Sequence, residues 1–185
     1  PLDIIPRIVL KTKWNKVKKG LIQRSKALNL FIDDVYNKKK IFKDKIIPED
    51  IVFKSKNYLK QCEGFSPKRK IWSHISGIDL IRNISGDFLV LEDNLQVPSG
   101  VSYMLENRMV MSQVFPQIFT RYRVSPIGHY CNRLYHCMHD AIPYQTKNPH
   151  MVVLTPGIYN SAYFEHSFLA QQMGVALVEG KDLYV

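Results

Sequence analysis

From Thr12 onward, apolar residues recur at intervals of mostly three and four: Trp14, Val17, Leu21, Ile22, Ala27, Leu28, Phe31, Ile32 and Val35, with lysines and arginines between them. Side chains at that spacing share one face of a helix, so the pattern predicts an amphipathic helix. Thr12 is a fitting N-cap, because its hydroxyl can accept from the first free backbone N–H groups. Gly20 leaves open whether the stretch is one long helix or two. The ten residues up to Leu10 are expected to be extended, since Pro1 and Pro6 resist helix. A short helix is predicted over Lys38–Phe42, and Pro48-Glu49-Asp50 begins another turn or helix. Residues 54–70 are polar, carry Gly64 and Pro67, and read as a loop.

The period then changes to two. Ile71–Arg82 and Asp87–Asn94 read as strands joined through the turn Asn83-Ile84-Ser85-Gly86. Pro98-Ser99-Gly100 ends the second strand. Helical spacing returns over Ser102–Arg121, with Leu105, Met109, Val110, Val114, Ile118 and Phe119 on the apolar side and a break at Pro116. Residues 129–140 are a further short helix, and Pro143–Pro149 a linker. The tail reads as βαβ: strand Met151–Leu154, turn Thr155-Pro156-Gly157, helix Ser161–Met173, stop at Gly174, strand Val175–Val178. The expected fold class is therefore α/β: an α+β region over 1–142, then the first βαβ unit of a parallel layer over 143–185, divided near 143–150.

Charge alters this picture little. The 26 Lys and Arg exceed the 16 Asp and Glu by ten, and the lysines crowd into Lys11–Lys26, Lys38–Lys45 and Lys54–Lys70. A basic balance can serve nucleic acid, anionic lipid or phosphorylated substrates. These lysines fall on solvated helices and loops, without interleaved aromatics to stack bases, so a nucleic-acid role is only a third reading. No apolar run is long enough to span a bilayer. Three cysteines without framework spacing point to a reducing cytoplasm. A first residue other than Met suggests a piece of a longer protein. A truncated α/β layer would leave an open sheet edge, which makes self-association possible.

The hairpin carries the candidate chemistry. Successive strand side chains point to opposite faces, so Glu92 and Asn94 share one face and Asp93 takes the other, with Val90 and Phe88 expected beside Glu92. A two-residue loop at Ser85-Gly86 sets Asp79 opposite Glu92; a four-residue loop sets Gly77 opposite Glu92 and Asp79 two positions away. Both bring Asp79, Glu92 and Asn94 to one surface, and a slip of one residue would undo it. Facing carboxylates repel unless a proton, an arginine or a cation lies between them. Two carboxylates and an amide are all-oxygen donors of the kind Mg²⁺ takes. The plainer alternative is that Glu92 and Asn94 merely end a strand before a turn.

At these residues the sequence resembles the circularly permuted ATP-grasp proteins, relatives of glutathionylspermidine synthetase and, more distantly, of glutathione synthetase. The resemblance rests on Gly77-x-Asp79, on Val90-Leu91-Glu92-Asp93-Asn94, on Pro98-Ser99-Gly100-Val101-Ser102-Tyr103, and on Glu106-Asn107-Arg108. It extends to Asp3-Ile4-Ile5-Pro6-Arg7, to Arg24-x-x-Ala27-Leu28-Asn29-Leu30-Phe31, and to the block from Leu154 to His166. It implies an ATP-dependent carboxylate–amine ligase working through an acyl phosphate, with ATP and Mg²⁺ as cofactors. Asp79, Glu92 and Asn94 would be metal ligands, the Ser99-Gly100 turn and Ser102 would hold the acid substrate, and Arg108 would pair with its carboxylate or the acyl phosphate. It further implies that 143–185 begins a Rossmann-like substrate domain. One departure stands out: Gly77 occupies a position where the synthetases carry an arginine, leaving Arg82 or Arg108 to replace that charge. The family's phosphate-binding lysines and glycine-rich lid would lie beyond Val185, so a chain of this length is expected to be inactive alone. A non-catalytic binding module on the same fold is the rival reading.

Other residues invite chemistry less. His129, Cys131, His136, Cys137 and His139 lack zinc-site order, and adjacent His136 and Cys137 would point about 100° apart on a helix. Nothing near Cys137 reads as an oriented base. Thr155-Pro156-Gly157 before a helix is a possible anion site, without the dinucleotide fingerprint. Glu165 and His166 read as surface or inter-domain contacts, with substrate contact as the alternative, and His74 as a structural histidine near Asp79.

Overall fold

The computed structural model describes residues 5–96, 98–142 and 149–184. Ten of the positions on which expectations were placed, residues 1–4 and 143–148, lie outside them. The chain forms two compact units, Arg7–Pro98 and the residues from Ser99 onward.

In the first unit the helical spacing yields one continuous helix, α1 (Lys11–Tyr36), which runs through Gly20. Leu10 rather than Thr12 is its N-cap, and no side chain caps it, because the chain is already helical at Lys11. Its last two turns are packed: Asp33 and Val35 are buried, and Tyr36 stacks on Trp72 and Tyr58 with ring centroids 5.0 and 5.1 Å apart. Two short helices follow, α2 (Lys40–Lys43) and α3 (Glu49–Phe53), the second led by Pro48 and two acidic residues that suit a helix start. Phe42, Phe53 and Tyr58 extend the aromatic cluster. Burial pushes the Tyr58 hydroxyl up to about 12, helped by its hydrogen bond to Glu63, so it serves as a donor throughout the physiological range.

The hairpin is shorter than its alternating pattern suggested. Strand β1 (Gly77–Arg82) pairs antiparallel with β2 (Phe88–Asn94), while 71–76 are not strand. The reason is Asn29 of α1. Its Oδ1 accepts the backbone N–H groups of Trp72 (2.7 Å) and Ser73 (3.0 Å), which would otherwise seek a ladder. Ser73 then donates its hydroxyl to the carbonyls of Ile75 and Leu95.

In the second unit, α4 (Val101–Val114) and α5 (Pro116–Tyr122) are separated at Phe115, with Pro116 at the first position of α5, where its missing N–H costs nothing. Met109, Val110 and Val114 are exposed rather than forming a buried side of α4. Helix α6 (Tyr130–Asp140) follows. Strand β3 (Val152–Leu154), helix α7 (Tyr163–Met173) and strand β4 (Ala176–Val178) make the parallel βαβ unit, with Gly174 ending α7 at φ 70°. Both α4 and α6 pack on α7. The compact units therefore divide at Pro98/Ser99, whereas the expected boundary near 143–150 falls within the second unit. The molecule is a mixed α/β protein. No helix among the described residues is long and apolar enough to cross a membrane.

Candidate functional site

The hairpin register decides which side chains meet. Arg82 pairs with Phe88, Ile81 with Leu89 and Leu80 with Val90, leaving a five-residue connection from Asn83 to Asp87. The Asn83 side chain accepts the Asp87 N–H, and Gly86 adopts φ 81°. This odd loop is the one-residue slip that would have separated Asp79 from Glu92. A β-bulge cancels it: the register shifts between Asp79 and Leu80, Leu91 becomes the extra residue, and Asp79 comes directly opposite Glu92. Ile78 then faces Asp93, and Gly77 faces Asn94. Asp79, Glu92 and Asn94 lie on one exposed face, with Cβ atoms of the opposed pair expected about 5 Å apart. The bulge corrects one expectation: Val90 and Phe88 lie on the other face with Leu80, while Leu91 and Leu89 lie with Glu92.

The inner face is satisfied by α1. Arg24 Nε donates to both oxygens of Asp93, at 2.8 and 2.9 Å, and its Nη2 adds a third bond. Those bonds hold the Asp93 carboxyl below its usual range, against a smaller opposing effect of burial. Burial alone would raise Asp33, but hydrogen bonds from Lys70 and Trp72 outweigh it and lower that carboxyl as well. Asp79 and Glu92 have no basic side chain within 4 Å among the described residues. Their oxygens, with the Asn94 amide, are a hard donor set that fits Mg²⁺. No three His, Cys, Asp or Glu side chains converge on a metal site anywhere among the described residues, so the candidate set is two carboxylates and an amide.

Gly77 is explained by packing. A Cβ there would lie 2.9 Å from Cβ of Pro98, closer than side-chain carbons approach, so no larger residue fits without moving the proline. An arginine at this position would have to displace Pro98 from β1. Arg82 does not replace it: it lies on the inner face at the turn, donating to the Gly86 carbonyl at 3.3 Å. Arg108, in the second unit, donates to the Ser125 carbonyl at 2.8 Å and lies over the Phe119 ring.

The second unit contains a carboxylate site of its own. Gly100 N–H donates to both Glu165 oxygens at 2.8 Å, and Ser102 gives its hydroxyl at 3.0 Å and its N–H at 3.3 Å. Ser102 is fully buried and Glu165 nearly so. The donors expected to hold an acid substrate do hold a carboxylate, but it is the protein's own, clasping α7 to the start of α4; Ser99 is exposed beside them. His166 Nδ1 lies 2.9 Å from the Thr155 hydroxyl, which also accepts the Gly157 N–H. The Thr155-Pro156-Gly157 turn is separated from α7 by five residues, and the Glu179 carboxylate lies against Gly157. Burial raises the Cys131 thiol, which disfavours a reactive thiolate, and His129, His136 and His139 are exposed.

Sequence reasoning missed the roles of Asn29 and Asp33, and did not foresee that Glu165 accepts from Gly100 and Ser102. The Arg24…Asn29 block was read only as a resemblance, although these polar residues, within one turn and a half of a helix, reach β2 through Arg24 and the segment leading into β1 through Asn29.

The family model described as circularly permuted ATP-grasp type 2 matches residues 6–185. An uncharacterized protein of Synechocystis sp. is 52% identical over 185 residues, which is all of this chain and 38% of the relative. An uncharacterized protein of Mycobacterium tuberculosis is 46% identical over the whole chain and 33% of its own length. A Frankia casuarinae protein provisionally named glutamate–cysteine ligase 2-2 is 38% identical over 186 residues, 22% of its length. The chain thus spans about a third of the first two relatives. With the match running from Pro6 to the last residue, the chain belongs to the circularly permuted ATP-grasp type 2 family.

Proposed function

We propose that this chain is the metal-binding part of an ATP-dependent carboxylate–amine ligase, in which Asp79, Glu92 and Asn94 hold Mg²⁺. The observation that carries the reading is the bulged register, which sets two carboxylates opposite each other on an exposed face with no lysine or arginine among the described residues within 4 Å of them. An all-protein structure has no reason to keep that repulsion, whereas a bound Mg²⁺–nucleotide removes it. Membership of the ATP-grasp family and the name of the Frankia relative support the same class of reaction. The bound metal supplies neutralisation of charge on the transferring phosphoryl group as a carboxylate becomes an acyl phosphate.

The chain's own residues have distinct tasks in this reading. Asp79 and Glu92 supply anionic oxygens from two strands whose separation the ladder fixes, and Asn94 supplies a neutral one. Arg24, by binding Asp93, holds the end of β2 in register without competing for Glu92. Arg82, on the inner face, has no part in the chemistry. Gly100 and Ser102 act through the Glu165 clasp, as positioning residues rather than substrate contacts. The substrates are a small-molecule or peptide carboxylate and an amine, including the polyamines that a relation to glutathionylspermidine synthetase would bring. The βαβ unit is read as the start of a Rossmann-like substrate domain, and three free cysteines agree with a reducing cytoplasm.

The test is ADP formation by the full-length polypeptide with pooled amino acids, short peptides and polyamines, wild type beside Glu92→Gln. Acceptor-dependent ADP that the substitution abolishes supports both the reaction and the metal assignment. No ADP in any pool, together with weak Mg²⁺–ATP binding, would replace the ligase reading with that of a binding module on an inherited fold.

A further inference from the structure

The candidate metal ligands stand where the hairpin ladder runs out. Asn94 belongs to the last pair, opposite Gly77, and neither 71–76 nor 95–96 is strand. Ladder ends fray, so a side chain that must keep one position there depends on bonds from outside the ladder. Both neighbours of Asn94 have such bonds. Asp93 is held by Arg24, and the Leu95 carbonyl accepts the Ser73 hydroxyl at 3.2 Å. The chain leaving the hairpin also closes over the last pair, since a Cβ on Gly77 would lie 2.9 Å from Cβ of Pro98 and 3.7 Å from Cβ of Asn94.

Ser73 is held as a paired strand residue would be, but by a side chain of α1. Asn29 Oδ1 accepts the Ser73 N–H at 3.0 Å, and Asn29 Nδ2 donates to the Ser73 carbonyl at 3.4 Å. The same oxygen accepts the Trp72 N–H at 2.7 Å, and the same nitrogen donates to the Ser25 carbonyl at 3.0 Å. Two N–H groups converge on the oxygen and two carbonyls on the nitrogen, which uses the full capacity of the amide. Exchanging oxygen and nitrogen would set donor against donor, so the amide has one orientation. The Ser73 hydroxyl also reaches the Ile75 carbonyl at 3.0 Å, joining the segment that enters β1 to the segment that leaves β2. Arg24 and Asn29 belong to one helix, so their two holds on the hairpin move together.

We propose that Asn29 and Ser73 are positioning residues for the metal site, fixing Asn94 beside Glu92. The inference rests on the metal reading above. Mg²⁺ demands near-ideal octahedral geometry, so a ligand that wanders costs affinity. Neither residue is itself a ligand: Asn29 fixes Ser73, Ser73 fixes the Leu95 carbonyl, and Leu95 is joined to Asn94. Anchoring the hairpin on α1 is a separate role, and alone it would affect stability while leaving metal affinity untouched.

The test is binding of Mn²⁺, a paramagnetic stand-in for Mg²⁺, by the full-length polypeptide with ADP present, read by electron paramagnetic resonance. Glu92→Gln should abolish the site. Ser73→Ala and Asn29→Ala should weaken it about tenfold, while Ser73→Thr, which keeps the hydroxyl, should stay within about twofold of wild type. Circular dichroism verifies that each variant is folded. A second measurement needs no variant: coupling acts in both directions, so saturating Mg²⁺ with ADP should slow hydrogen exchange at the Trp72 and Ser73 amides relative to those of α7. A Glu92-dependent site that ignores Ser73→Ala and Asn29→Ala, equal loss in Ser73→Ala and Ser73→Thr, or unaltered exchange at Trp72 and Ser73 would overturn this inference alone. No Mn²⁺ site in the wild type, or one indifferent to Glu92→Gln, would overturn the metal reading and this inference with it.

Discussion

Glu92 and Asp93 are neighbours in sequence, yet the hairpin sends them to opposite surroundings. Asp93 faces α1, where Arg24 takes both of its oxygens. Glu92 faces outward, opposite Asp79, among side chains as exposed as Leu89 and Leu91. The inner face is complete as folded, and the outer face holds charge that no ion pair among the described residues compensates. Removing a carboxylate from the inner face should therefore cost stability, and removing one from the outer face should cost function. Glu165, enclosed in the second unit, is a further carboxylate of the inner kind.

The largest effect is expected at the outer face. Glu92→Gln or Asp79→Asn should lower acceptor-dependent ADP formation at least about a thousandfold. The thermal midpoint should stay level or rise, because a repulsion is relieved. A fall in midpoint comparable to that of a core variant would show that the pair is structural. Gly77→Ala comes next: it forces Pro98 aside and should cost about 1–3 kcal/mol in urea unfolding of the first unit. An unchanged midpoint would mean the proline has room to move.

Glu165→Ala should destabilise the second unit by about 2 kcal/mol, since it removes the cap of α4 and strands buried donors. Hydrogen exchange at Gly100 and Ser102 reads it locally, and unaltered protection there would dismiss the clasp. The smallest effect concerns acid. Asp93 and Asp33 titrate below their unfolded values, so the stability they contribute is present above the unfolded carboxyl range and is lost as pH falls through the lowered folded values. The thermal midpoint should be flat from neutrality to about pH 5 and fall below about pH 4. Asp93→Asn should lower the midpoint by a few degrees at pH 7 and flatten that fall, with ADP formation little altered.

Much of this was legible in the residues. Periodicity placed α1, the hairpin, the Pro116 break and the βαβ tail, because each is a local pattern with its own punctuation. Elements that answer to distant partners were misread. Trp72 and Ser73 alternate like strand residues but surrender their N–H groups to Asn29, more than forty positions away. The boundary was placed at a proline-flanked linker, whereas α4 and α6 join α7. Alternation put Asp79, Glu92 and Asn94 together on the assumption of an even loop; the loop is odd, and a bulge that no local pattern marks restores the pairing. Ser102 was expected to hold an acid substrate; its bond to Glu165 joins residues 63 positions apart, and no local pattern marks it.

The bulge at Leu91 also bears on how relatives of this chain are recognised. Because the extra residue sits between the paired positions, deleting it would leave Asp79 opposite Glu92 in a regular ladder. The gap between the two acidic positions is thereby free to differ by one residue among homologues without separating them in space. A signature that fixes that gap would miss a homologue built without the bulge, and one that lets it vary by a residue would keep it.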